Sequence, residues 1–175
     1  MSLARVDAPS RRVLLSSVGA GLFILSLAAV DLVLRGAVPL SALIPPFGAS
    51  TVIVFFSPES PAGRPWNVTA GHLGSALVAI SAMTLIPNSP VAVQAALAVS
   101  GAGIWMVLSR SIHPPGGATA LLATLGGPKL SALAFCACLL TGCFTLCSVR
   151  WLVDFGVRIS ERSVPRSATD AGPHA

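Results

Sequence analysis

The sequence predicts an all-helical membrane protein with four long transmembrane helices and two short helices, each of which starts at a Pro-Pro pair. Hydrophobic residues make up 54% of the 175 residues and charged residues only 10%, whereas a soluble domain carries about 25% charged residues. The mean hydropathy is +0.82. Several apolar runs reach the roughly 18–20 residues that cross a bilayer, so a soluble globular domain is excluded.

The charge pattern indicates a membrane rather than a nucleic-acid partner. The formal net charge is +5, and the arginines lie at the ends of the apolar runs. Positive residues at such positions orient helices against the cytoplasmic face of a membrane. The sequence therefore predicts a lipid bilayer as the surroundings of the chain and no binding of nucleic acid.

Four apolar runs are long enough to be full spans, at 13–34, 69–86, 91–108 and 130–153. The first is longer than the roughly 7–15 apolar residues of a signal peptide, so we interpret it as a retained helix. Together the runs predict one transmembrane domain at 13–153. The flanking polar and basic segments, 1–12 and 154–175, are predicted to be cytoplasmic tails, and we expect the second to be partly disordered.

Paired prolines start both short helices. Proline is tolerated at the first helical positions because its missing N–H would be unpaired there. One helix is predicted to begin at Pro45-Pro46 and the other at Pro114-Pro115. Both copies read Pro-Pro-x-Gly-Ala followed by Ser or Thr, and they lie 69 residues apart.

This offset predicts an internal repeat, with one copy at about 13–86 and the other at about 90–153. The short helices are either re-entrant, which gives four spans, or parts of broken spans, which gives six crossings. Six crossings place nine basic residues on the inside of the membrane and two on the outside. Re-entrant short helices place seven on the inside and four on the outside. The excess of positive charge inside favours six crossings, cytoplasmic termini and therefore an inverted repeat.

The two Pro-Pro helix starts form the predicted functional site. A helix N-terminus carries about half a positive charge, and glycine lets a ligand approach the backbone, so an anion is favoured there. Nearby hydroxyl, imidazole and guanidinium groups add donors, and the spans contain very few acidic residues. The candidate substrate-binding residues are Pro45, Pro46, Gly48, Ser50, Thr51, His72, Arg110, His113, Pro114, Pro115, Gly116, Gly117 and Thr119.

His72 and His113 are ionisable groups within or beside membrane segments, where such groups are functional by default. They predict a proton relay or hydrogen-bond donors to an anion. The competing interpretations are an interfacial His72 at a helix start and a His113 that bonds a backbone carbonyl at a helix end. No nucleophile–base pair predicts an enzyme, and neither a cofactor nor a metal site is predicted, because Cys136, Cys143 and Cys147 share one face of one helix.

Three stretches resemble the conserved blocks of one family. The run His113-Pro114-Pro115-Gly116-Gly117-Ala118-Thr119-Ala120-Leu121 resembles the signature of the HPP family of integral membrane proteins. The run at 45–50 is similar to its first block, and 60–68 with Gly71-His72 is similar to another. The resemblance covers about 12–155. Members of this family are usually described as having four membrane helices, so the resemblance implies that number. Some members in cyanobacteria and chloroplasts are implicated in nitrite transport, which the resemblance implies as a candidate function.

The sequence thus predicts a small-anion transporter or channel, with nitrite as the leading candidate, in a bacterial inner membrane. The alternative is a structural or regulatory membrane subunit without flux of its own. In that case the small residues of the two motifs serve helix packing. A bundle with so few spans is also compatible with a homo-oligomer.

The six-crossing topology predicts where the loop after the first short helix lies. A reporter fused after Gly63 should be cytoplasmic, because six crossings return the chain to the inside at that point. Activity of a cytoplasm-specific reporter checks this directly. A periplasmic reporter would contradict six crossings.

Overall fold

The computed structural model describes residues 11–33, 44–126 and 131–162, which form six α-helices and one 3-10 turn. The helices are α1 Arg11–Val33, α2 Ile44–Phe56, α3 Pro65–Leu85, α4 Val91–Leu108, α5 Pro115–Gly126 and α6 Ala132–Arg162, and the turn is Pro61–Gly63. Four of these helices, α1, α3, α4 and α6, are long and apolar enough to cross a membrane. Pro45 and Pro46 lie in the first turn of α2, and Pro114 directly precedes Pro115, the first residue of α5. The predicted composition of four long and two short helices is therefore confirmed.

The last helix is longer than predicted. It continues past the predicted end at 153 to Arg162, so the first part of the segment after 153 is helical. Arg150 Nε lies 2.6 Å from Asp154 Oδ2, and Trp151 stacks on Phe155 with ring centroids 5.7 Å apart. Contacts between residues four apart stabilise a helix by a few tenths of a kcal/mol each. The remainder of both predicted tails lies outside the described residues, as do Arg35 and Lys129.

The protein has an apolar exterior, and its interior combines apolar side chains with small and polar ones. Leu85, Leu133 and Phe144 are 80%, 81% and 75% exposed. The fully buried residues include alanines and several polar side chains, among them Ser50, His72, Ser75, His113 and Thr119. Lipid favours this distribution, because it solvates an apolar exterior and offers no hydrogen-bond partners to polar groups. The chain is therefore a multi-pass membrane protein.

The two short helices end at opposite ends of the helix bundle. At one end, here called the arginine end, Arg12 of α1, Glu59 after α2 and Arg158 of α6 line one cavity. At the other, here called the turn end, Pro87 of the α3–α4 turn and Leu125 of α5 line a second cavity. Helix α2 thus ends at the arginine end and α5 at the turn end.

Both short helices begin in the interior. Phe47 in the first turn of α2 packs edge-on against Phe23 of α1, with ring centroids 5.7 Å apart, and lies beside Gly142 of α6. Gly116 in the first turn of α5 contacts the backbone of α3, where a Cβ on Gly116 would lie 2.6 Å from the Gly71 carbonyl oxygen. Each short helix therefore leads from the interior to one end of the bundle.

Arg150 connects α6 to the end of α2, since its Nη1 donates to the carbonyl of Val54 while its Nε pairs with Asp154. The carbonyls of a final helical turn lack partners within the helix. Arg150→Gln should therefore lower the free energy of unfolding by about 1–2 kcal/mol, a value reduced by partial exposure. Thermal unfolding in detergent measures this change. Arg158→Gln, at the same end of α6, is the matched control, and equal effects of the two variants would contradict the connecting role of Arg150.

Candidate functional site

A buried polar cluster lies where the two short helices begin. It contains Ser50 of α2, His72 of α3, Thr119 of α5 and His113 in the turn before α5. All four side chains are 0% exposed. The structure thus brings together four of the predicted site residues, from segments far apart in the chain.

Close backbone packing positions these side chains. A Cβ on Gly71 would lie 2.6 Å from His113 Cβ, so the absence of a side chain at Gly71 lets the turn before α5 approach α3. His72, the next residue, then faces the same interior space. Ser50 is one turn into α2, where its Oγ lies 3.0 Å from the carbonyl oxygen of Pro46. The helix starts and this packing contact together bring the polar groups to one point.

His72 is held at both edges of its ring. Its Nδ1 lies 2.6 Å from Thr119 Oγ1, and its Nε2 lies 2.8 Å from Ser50 Oγ. Ser50 and Thr119 occupy the same position in the two Pro-Pro motifs, 69 residues apart. The ring of Phe47 packs against the imidazole with centroids 4.7 Å apart. One imidazole therefore joins the two repeated motifs.

His113 lies beside it and belongs to only one motif, because Ile44 occupies the equivalent position. Its Nε2 is 2.8 Å from Ser50 Oγ and 3.2 Å from His72 Nε2. Its Nδ1 donates to the carbonyl oxygen of Ala62, 2.8 Å away in the 3-10 turn. The carbonyl bond considered from the sequence is present, but the same ring also faces a second histidine. His72 is likewise fully buried inside the bundle.

The surroundings of the two imidazoles are polar but uncharged. Within the described ranges, they contact hydroxyl groups, a carbonyl, an aromatic ring and each other. Ser75, one turn further along α3, is also fully buried, and its Oγ has no hydrogen-bond partner. That Oγ lies 2.8 Å from the point where a Cβ on Gly116 would be. Any charge inside the cluster would thus be compensated only by dipoles or by a ligand.

A cavity lies on each side of the cluster. The cavity at the turn end measures about 590 Å³, and Ala123, which lines it, is one helical turn beyond Thr119 on α5. A cavity at the arginine end measures about 340 Å³ and is lined by Gly63 and Arg64, the residues that follow Ala62. No residue of the cluster lines either cavity, so the cavities lie toward the two ends of the bundle from it.

The other predicted residues lie beside the cluster or apart from it. Thr51 Oγ1 donates to the Phe47 carbonyl within its own helix, at 2.6 Å. Arg110 is exposed in the turn after α4 with φ 52°, a left-handed conformation. Pro46 and Pro115 are buried, whereas Pro45 and Pro114 are exposed.

The start of α5 differs from the expected cradle of unpaired donors. The N–H groups of Gly116 and Gly117 donate to the carbonyls of His113 and Pro114 at 2.9 and 3.0 Å. Gly116 makes the expected close contact, but a Cβ on Gly117 or Gly48 would meet no atom within 4 Å. The donors available to a ligand are thus the side chains of the cluster more than the backbone of the first turn.

Sequence reasoning from side-chain chemistry missed several parts of the site. The Ala62 carbonyl is a backbone group, so no residue type in the sequence predicts that it accepts a hydrogen bond in the site. Phe47 is an apolar residue of the first motif, and nothing in the sequence distinguishes it from other buried apolar residues. The pair Gly71 and Ser75 could have been found, because small residues four positions apart mark a close helix contact in membranes. Gly116 was selected as a glycine that lets a ligand approach the backbone, and in the structure the group that approaches it is the backbone of α3.

The fold and the cluster define a multi-pass helical membrane protein with a buried, histidine-containing polar centre. The chain matches the family described as HPP, transmembrane region, over residues 6–165, and it belongs to that family. Two transmembrane proteins of Dictyostelium discoideum are similar to it over 89 residues, at 44% and 43% identity. The match spans 50% of this chain but only 29% and 31% of those relatives. No solved structure matches the chain.

The glycines at the start of α5 give a matched pair of variants. Gly116→Ala should lower stability by about 1–3 kcal/mol, because its Cβ would press on the Gly71 carbonyl oxygen and on Ser75 Oγ. Gly117→Ala should be tolerated, since no atom lies within 4 Å of its Cβ. Thermal unfolding in detergent separates the two. A Gly117→Ala variant as unstable as Gly116→Ala would contradict the packing described here.

Proposed function

We propose that this protein moves a small anion across the membrane, as a transporter or channel, and that nitrite is the first substrate to test. The observation that carries the proposal is the fully buried, mutually hydrogen-bonded Ser50–His72–His113–Thr119 cluster at the inner ends of the two short helices. Polar and ionisable groups inside a membrane protein mark substrate and ion pathways. Nitrite itself rests on the family resemblance.

The arrangement of the helix ends supports six crossings. Arg64 lines a cavity at the arginine end together with Arg150. Arg110 lies at the same end, because the carbonyl of the preceding Ser109 accepts a hydrogen bond from Trp66 Nε1, in the first turn of α3, at 3.4 Å. These arginines therefore share an end with Arg12. The accumulation of positive charge indicates the cytoplasmic end. Both termini would then be cytoplasmic, as expected for a bacterial inner-membrane protein with this topology.

The helix contacts support an inverted repeat. If α1, α2 and α3 correspond to α4, α5 and α6, each contact between helices has a counterpart. The α1–α6 contact corresponds to α4–α3, α1–α2 to α4–α5, and α2–α6 to α5–α3. Inverted repeats with discontinuous helices build substrate sites at the repeat interface of transporters. The Ser50–His72–Thr119 bridge lies at that interface.

The chemistry of the cluster favours an anion over a cation. Hydroxyl groups and imidazole N–H groups donate hydrogen bonds, and the positive ends of two helix dipoles point to the same interior region. Within the part of the chain that the structure describes, no carboxylate contacts the cluster. A dehydrated cation would need such a group or several carbonyl oxygens.

A second candidate function is a structural or regulatory subunit without flux. The observation that favours it is that all four ring nitrogens of the two histidines already have partners within the protein. A cluster of this kind could fix helix packing without binding a ligand. Flux and folded yield distinguish the two functions.

His113→Ala should lower nitrite flux into proteoliposomes by about tenfold or more, the effect of losing one hydrogen bond of about 1.4 kcal/mol. Folded yield, measured by size-exclusion chromatography, should fall much less. Thr141→Val is the control, because the Thr141 hydroxyl bonds only the Ala137 carbonyl of its own helix, at 2.9 Å. Parallel loss of flux and yield would favour the structural function. No protein-dependent flux of nitrite, nitrate, formate or chloride would contradict anion transport.

A further inference from the structure

The hydrogen-bonding roles of the ring nitrogens follow from their partners. A carbonyl oxygen only accepts, so His113 Nδ1, 2.8 Å from the Ala62 oxygen, carries a hydrogen. In a neutral His113 the Nε2 is then an acceptor and needs a donor. The polar atoms beside it are Ser50 Oγ at 2.8 Å and His72 Nε2 at 3.2 Å.

One arrangement of hydrogens fills these contacts while both imidazoles are neutral. Ser50 donates its hydroxyl to His113 Nε2, and its oxygen accepts from His72 Nε2 at 2.8 Å. His72 Nδ1 is then an acceptor and receives the hydroxyl hydrogen of Thr119 at 2.6 Å. The reverse direction would leave the unprotonated His113 Nε2 facing a hydroxyl oxygen without a hydrogen between them. The Ser50 hydroxyl also lies 3.0 Å from the Pro46 carbonyl oxygen, to which it donates when His72 Nε2 donates directly to His113 Nε2 at 3.2 Å. In both arrangements the hydrogen bonds run from Thr119 through His72 to His113 and Ala62.

Such a chain can take up one proton and move it. A proton that reaches Thr119 Oγ1 lets Thr119 pass its own hydrogen to His72 Nδ1. His72 then gives its Nε2 hydrogen to Ser50, and Ser50 gives its hydrogen to His113 Nε2. Each O–H or N–H bond that breaks is replaced by one that forms. The net result is one added proton, held as a single imidazolium at His113 whose Nδ1–H donates to the Ala62 carbonyl. On exit this Nδ1–H bond breaks and the proton passes to a water molecule that reaches the ring.

The surroundings limit the cluster to one positive charge. Two imidazolium rings with Nε2 atoms 3.2 Å apart would repel strongly in a buried site. Within the described ranges no charged group offsets that repulsion. The groups in contact with the two histidines are Phe47 and Ser50 of α2, Met106 of α4, Thr119 of α5 and the Ala62 carbonyl. Ser75 of α3 lies beside Gly116. Helix α6 reaches this region through Gly142 and the thiol of Cys143.

We infer that the cluster carries one proton with each anion, so that the protein is an electroneutral proton–anion symporter and not an anion channel. This inference rests on the proposed anion transport. A monovalent anion beside one imidazolium leaves the buried site without net charge, which avoids the large cost of an unpaired charge in an apolar interior. The cavity residues nearest along the chain to its two ends are Ala123, one helical turn beyond Thr119, and Gly63, which follows Ala62.

The direct test follows protons and nitrite together in proteoliposomes that contain a trapped pH indicator. A pH gradient should drive nitrite accumulation with one proton per anion, and a potassium–valinomycin potential alone should drive none. Protein-free vesicles give the background from diffusion of the neutral acid. Nitrite movement driven by the potential without proton movement would overturn the symport and leave anion transport standing. No nitrite movement above background would instead remove the proposed function for nitrite.

Thr119 provides a near-isosteric test of the chain itself. Thr119→Val keeps the shape but removes the donor to His72 Nδ1, so proton-linked nitrite flux should fall by about tenfold. Thr119→Ser restores the hydroxyl and should recover most of the flux. Ser26→Ala is the control, because its hydroxyl bonds only the Phe23 carbonyl within α1, at 2.6 Å. Unchanged proton-linked flux in a folded Thr119→Val protein would overturn the inference.

Discussion

The structure depends on one buried imidazole held from both sides. His72 is bonded to Ser50 through Nε2 and to Thr119 through Nδ1, and these two hydroxyls stand at equivalent positions of the repeated Pro-Pro motif. Loss of either bond would leave an unpaired polar group inside a protein that lipid surrounds, which is costly. The two short helices are therefore positioned relative to each other through α3, although each ends at a different end of the bundle.

This arrangement requires backbones that approach closely. Because Gly71 has no side chain, His113 can pack against its backbone, and Gly116 packs against the Gly71 carbonyl. The turn before α5 therefore lies directly on α3. Gly74 serves a similar purpose one turn later, where Trp105 of α4 packs over it and donates to the Ala70 carbonyl at 3.0 Å. In a membrane such contacts replace the hydrophobic driving force between helices. The polar cluster and the glycine contacts thus form one packing unit.

Much of the fold follows from the sequence because its signals are local. Runs of apolar residues and paired prolines mark the helices, and the predicted 91–108 coincides with α4. The extension of α6 was missed because polar composition after 153 resembles a tail, whereas the Arg150–Asp154 pair acts only once the helix has formed.

The site was predicted in composition but not in geometry. His72, His113, Ser50 and Thr119 were all selected, yet no local signal shows that two histidines separated by 41 residues face each other at 3.2 Å. The Ala62 carbonyl and the unpaired Ser75 hydroxyl depend on tertiary packing alone. Arg110 was selected as a charge that attracts anions from the cytoplasmic side, and it is exposed in the turn after α4.

The hydrogen positions on the two imidazoles test this account most directly. Nitrogen-15 NMR of the histidine side chains in the folded protein distinguishes the tautomers. The account predicts that, with both rings neutral, His72 carries its hydrogen on Nε2 and His113 carries its hydrogen on Nδ1. A His72 protonated on Nδ1 would leave two unprotonated Nε2 atoms facing each other and would contradict the directed chain.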